Sequence, residues 1–150
     1  MKKIIIAVAF MLGVCSVNAQ SFESGTKVLQ VGIGVGGSFG TPISGAFEYG
    51  VSDKIGIQVG GGFTNVDVFG TYILINAGAN YHFYTEDKFD AYAGLFLGYN
   101  KFDYSGFGSP SSTYFGARLG GRYYFSDSVG AFAELGYGLA NLNVGVAFKF

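Results

Sequence analysis

For its size, this sequence is poorest in charge. Asp, Glu, Lys and Arg make up 13% of the 150 residues, about half the share of an ordinary soluble domain. A water-soluble globule covers its surface with such side chains, so the shortage argues for an exterior that does not face water. Cysteine is almost missing. Cys15 is the only one and lies near the start of the chain, so the remainder can hold neither a disulfide nor a thiolate metal site. There is one histidine, His82, and no metal-ligand cluster, phosphate-binding loop or nucleophile–base set around it in sequence. No catalytic, metal or cofactor-binding residue is therefore assigned. The formal net charge of −1 comes without a basic patch, which removes the usual reason to expect nucleic-acid binding.

What the chain does have is 26 glycines, an 18% share of aromatics and a 49% share of hydrophobic residues. Residues 1–19 read as a secretory signal peptide. Lys2 and Lys3 form a basic start, Ile4 to Val14 an apolar run, and Val17-Asn18-Ala19 a small-residue cleavage site between Ala19 and Gln20. The apolar run falls short of the roughly 20 residues of a membrane-spanning helix. Leu12-Gly13-Val14-Cys15 departs from a lipoprotein box at Val14, and Cys15 reads as an ordinary residue of the signal segment. Residues 20–26 follow as a short, polar periplasmic leader, and residues 27–150 form the remaining domain.

That domain is organised by period-2 alternation, the mark of a strand with two unlike faces. The final stretch, 141–150, shows the pattern. Leu142, Val144, Val146, Phe148 and Phe150 fall on one face, and Asn143, Gly145, Ala147 and Lys149 on the other. Similar stretches lie at about 27–35, 43–51, 55–64, 71–84, 89–100, 114–125 and 129–139. The last strand needs a partner for its edge, and the first can supply it by closing a barrel. Ser52-Asp53-Lys54, Thr85 to Lys88 and Ser126-Asp127-Ser128 read as tight turns. Residues 101–113 read as the longest loop.

The charges decide which face is which. Glu48, Arg118, Arg122 and Glu134, the charges lying between the strand ends, all lie opposite the apolar face. A charge on a lipid-facing position at mid-depth of a barrel costs about 2–4 kcal/mol for Arg or Lys. A soluble lipocalin-like binder would reverse the pattern. The outward aromatics gather at two levels. Tyr49, Tyr81, Phe83, Phe89, Tyr123, Phe125, Phe148 and Phe150 lie near the tight turns, and Phe63, Phe69, Tyr99, Phe115 and Tyr137 near the opposite ends. Two aromatic girdles are expected of a membrane barrel. The expected fold is all-β, an eight-stranded antiparallel up-and-down transmembrane β-barrel.

With its leader, its eight amphipathic stretches and its ending Gly145-x-x-Phe148-x-Phe150, the chain resembles the small outer-membrane β-barrels of the OmpA/OmpX-like superfamily. The resemblance spans about residues 27–150. It implies Sec-type export, integral location in the bacterial outer membrane, and contact with outer-membrane lipid and lipopolysaccharide. It also implies that the outer-membrane assembly machinery reads Gly145, Phe148 and Phe150, and that the barrel acts as a monomer.

Inside such a barrel, Glu48, Arg118, Arg122 and Glu134 are expected to form one charge cluster. It would either fix the register of the strands or gate a narrow, porin-like passive channel. His82 and Asp90 flank a tight turn and are expected to pair at the periplasmic mouth. Phe102, Tyr104 and Phe107 are expected as exposed aromatics of the 101–113 loop, where a surface partner could be met. A non-enzymatic structural, surface-interaction or envelope-integrity role comes first among the functions, with the channel as its alternative.

Overall fold

The structure, a computed structural model, describes residues 20–36, 40–66, 70–104, 108–136 and 140–150. The expected signal segment with Ala19, and the aromatics Phe69, Phe107 and Tyr137, lie outside the described residues, as does the side chain of Tyr104. The strands are β1 (Lys27–Val35), β2 (Ile43–Gly50), β3 (Ile55–Val66), β4 (Gly70–Thr85), β5 (Phe89–Tyr104), β6 (Ser111–Tyr124), β7 (Val129–Gly136) and β8 (Leu142–Lys149). Each pairs antiparallel with its neighbours in sequence, and β8 pairs with β1, so the sheet is a closed barrel. Leu29 faces Phe148 and Val31 faces Val146 across that seam. Lys27 and Phe150 exchange backbone hydrogen bonds of 3.1 and 3.0 Å. Closure leaves no free edge along the seam.

Side chains divide between the two faces as the alternation requires. Phe115 is 69% exposed, Leu97 62% and Ile75 58%, whereas Glu48 and Arg122 are almost wholly buried. The apolar residues line the outside and the charged ones the inside, which is the inverse of a soluble barrel. Small residues inside make room for large ones. A Cβ on Gly120 would strike the ring of Tyr92, and one on Gly56 would strike the carboxylate of Glu48.

Two of the tight turns share one device. The hydroxyl of Ser52 accepts the amide of Ile55, and that of Ser126 accepts the amide of Val129, both at 3.1 Å. These turns and the one at 86–88 lie at the same end of the barrel.

The walls are uneven, because β4 and β5 have 16 residues each whereas β2, β7 and β8 have 8. Here the expected loop at 101–113 is corrected. β5 runs on to Tyr104, and β6 begins at Ser111. Phe102 is not an exposed loop aromatic: it is buried, facing inward, with its ring centroid 6.1 Å from that of Tyr72. The local Gly and Ser content suggested a loop. Cross-strand pairing with Gly70–Tyr72 and with Ser111 to Thr113 overrides it. A register shift between His82 and Tyr84 interrupts the β4–β5 ladder, and Phe83 and Tyr84 are both exposed as a result.

Candidate functional site

Inward positions of four strands meet near the short-turn end. Arg122 on β6 stands directly across the ladder from Asp90 on β5. Its Nη1 donates to Asp90 Oδ2 at 3.0 Å, and its Nη2 donates to Glu48 Oε2, reaching in from β2. His82 on β4 closes the figure. Its Nδ1 lies 2.6 Å from Asp90 Oδ1 and its Nε2 3.1 Å from Glu48 Oε1. Each carboxylate thus bridges one arginine and one imidazole, and each cation bridges two carboxylates. An imidazolium donates from both nitrogens and a neutral imidazole from only one, so the ring is complete when His82 carries both protons. Two positive and two negative groups then cancel. All four side chains are buried, and such a site requires that balance.

Neutral partners add further bonds. The Nδ2 of Asn80 donates to Glu48 Oε1 at 2.7 Å and to Gln58 Oε1 at 2.5 Å. The guanidinium of Arg122 also lies 4.4 Å from the centroid of the Tyr92 ring.

The expected grouping is therefore redrawn. His82 and Asp90 belong with Glu48 and Arg122, whereas Arg118 and Glu134 form a separate, looser layer further from the short turns. Arg118 Nη1 is 3.9 Å from Glu134 Oε1, while its Nη2 donates to Asn76 Oδ1 at 3.0 Å. The register explains the split. Glu134 faces Gly120, midway between the two arginines. Tyr92 fills the space over that glycine and donates its hydroxyl to Glu134 Oε2 at 2.9 Å. Arg122 is left to Asp90 and Glu48. A cavity of about 60 Å³, bordered by Gln30, Gln58, Asn76, Arg118, Glu134 and Asn143, lies in this layer.

On the other side of the ring, the leader departs from expectation. It is not simply polar: Ser21 and Phe22 are completely buried. The phenyl ring of Phe22 stacks on His82 with centroids 3.4 Å apart and planes within 6°. The sequence offered little sign of this, because one aromatic among Gln, Ser and Glu has no periodicity to reveal it.

Gly145 faces inward against Gly32 and Phe132, and Phe148 and Phe150 are half-buried. Among the described residues, no group of three or more His, Cys, Asp and Glu side chains is arranged to hold a metal ion.

No family model matches the sequence, and no curated protein matches it either. Solved structures do. The N-terminal β-barrel domain of Pseudomonas aeruginosa OprF superposes with a TM-score of 0.67 at 22% identity, over 85% of this chain and 99% of that one. Neisserial surface protein A gives 0.57 at 20% identity, over 83% and 94%. A de novo designed transmembrane β-barrel gives 0.58 at 17% identity, over 85% and 98%. The likeness is one of fold. The chain has the fold of the small eight-stranded outer-membrane barrels, which is the architecture that the OmpA/OmpX-like resemblance implies.

Proposed function

We propose that the protein is a non-enzymatic integral barrel of the bacterial outer membrane. Its role is structural, in surface interaction or envelope integrity, and polar and charged side chains fill its lumen. One observation carries the reading: the barrel wears its apolar side chains outside, Phe115, Leu97 and Ile75 among them, and buries Glu48, His82, Asp90 and Arg122 inside. Hydrocarbon is the solvent in which that arrangement is stable.

The short turns face the periplasm and the taller β4–β5–β6 wall faces outward. Export is Sec-type with cleavage between Ala19 and Gln20, and the assembly machinery reads Gly145, Phe148 and Phe150. The mature barrel is a monomer in contact with lipid and lipopolysaccharide, and it meets any surface partner through the 101–113 hairpin. His82 supports the absence of catalysis, because both its ring nitrogens are committed to carboxylates.

The test compares boiled and unboiled gel mobility of the protein from an outer-membrane fraction, followed by conductance in planar bilayers. A heat-dependent shift without conductance steps is expected. Recovery in the soluble periplasm without a shift would sink the reading in favour of a soluble binder. The second reading, a narrow porin-like channel gated by the interior Arg/Glu pairs, draws on the cavity beside the loose Arg118–Glu134 pair. Steady conductance that Arg118→Ala alters would replace the first reading with this one.

A further inference from the structure

The residues ahead of β1 do more than lead into the barrel. Ser21 donates its hydroxyl to the carbonyl of Phe89 at 2.8 Å, at the start of β5. Lys149, near the end of β8, donates to the carbonyl of Gln20 at 3.1 Å. Glu23 and Thr26 close a turn on themselves, with Glu23 N donating to Thr26 Oγ1 at 3.0 Å and Thr26 N to Glu23 O at 3.1 Å. Gly25, with φ of +87°, then delivers its amide to Gly50 O at 2.8 Å, a backbone conformation that suits glycine. Contacts to β2, β5 and β8 therefore hold a segment of a few residues around the rim of the mouth.

The mouth is shaped to receive it. A Cβ on Gly50 would meet the carbonyl oxygen of Glu23 and would lie 3.2 Å from the tip of Phe22, so the last position of β2 has no side chain where the segment crosses. Phe22 then lies flat on His82, directly over the ion ring. Phe22 covers the His82 side of the ring, and Tyr124 and Val28 are buried at the same end. Excluding water strengthens every charge pair beneath it.

We propose that residues Gln20–Glu23 are a stopper that seals this mouth of the barrel, with Phe22 as the plug and His82 as its seat. The inference does not depend on the membrane reading, because it concerns access to the lumen from the short-turn end in any solvent. The stopper hides the ion ring from solutes, and it is the first part of the structure that must leave if a solute is to reach the ring from that side.

The chain holds one histidine, so the seat has a unique chemical reporter. Carbethoxylation by diethyl pyrocarbonate is followed at the wavelength of the modified imidazole. The purified folded protein is used, well below its unfolding temperature. Wild-type His82 is expected to react at least about tenfold more slowly than in the heat-unfolded chain, because reaction requires local opening. Phe22→Ala is expected to recover part of that factor, the remainder belonging to the carboxylates that hold both ring nitrogens, and Phe22→Leu, which keeps apolar bulk, to stay protected. Ser21→Ala removes one hydrogen bond and little bulk, and is expected to raise the rate about fivefold. It decides the matter if Phe22→Ala does not fold. The stopper is refuted if folded wild-type protein reacts as fast as unfolded. It is equally refuted if the folded variants, still showing heat-dependent mobility, react no faster than wild type. A residue that only added global stability would leave this local rate unchanged.

Discussion

Asp90 and Arg122 face each other across the β5–β6 ladder, 3.0 Å apart at their charged ends. Register and ion pairing are thus one constraint. Sliding β6 by a single residue would turn Arg122 to the apolar exterior and leave Asp90 and Glu48 buried without their arginine. Each member of the ring bonds two others, so its members should not be interchangeable with those of the looser layer.

Arg122→Ala should cost about 3–5 kcal/mol, since it strands two buried carboxylates. Arg122→Lys should recover only part of this, because an ammonium lacks the planar fork that reaches Asp90 and Glu48 together. Urea unfolding of the folded barrel, read by gel mobility, measures both. A loss below about 1 kcal/mol would mean that water replaces the ring without penalty.

Arg118→Ala should cost clearly less, about 1–2 kcal/mol. Its carboxylate partner is 3.9 Å away and its firmest bond is to Asn76. The comparison between the two arginines is the informative one. Equal losses would restore the single four-residue cluster that the sequence suggested.

Gly120→Ala should destabilise by about 1–3 kcal/mol, because the added methyl strikes the Tyr92 ring and through it the bond to Glu134. Gly45→Ala is the control. There the nearest atom, Gln30 O, is 3.6 Å from the new Cβ, and the change should be neutral or slightly stabilising, by about 0.4–1 kcal/mol. The same unfolding measurement separates them.

Leu97→Arg should reduce stability in phospholipid vesicles by about 2–4 kcal/mol, the cost of a guanidinium in the hydrocarbon zone. Leu97 is 62% exposed on the outer face. If the substitution instead improves solubility without loss of stability, the outer face meets water and the membrane reading fails.

The barrel was legible in the sequence because alternation is a local signal and each strand carries it independently. The inward charges followed from the same parity. What sequence reasoning missed depended on register. The length of the β5–β6 connection does not fix the register, so the Asp90–Arg122 pairing stays hidden in the sequence, and Glu134 falls into one cluster with both arginines. The irregularity that turns Phe83 and Tyr84 to the same side has no local signature. Gly, Ser and Asp around Phe102 read as a loop. Phe22 leaves no sign, because a buried plug needs no period.

The seam between β1 and β8 has a consequence for how the molecule comes into being. Its hydrogen bonds join the two ends of the described chain, Val28 with Lys149 and Lys27 with Phe150. Before they form, every intermediate is an open ribbon with two hungry edges, and adding more strands does not remove either one. Contacts of such long range are slow to form. The stopper lies beside this same seam and is tied to β8 through Lys149, so its full set of contacts requires the ring of strands to have met. A chain cut short before β8 would have neither the closed seam nor that tie.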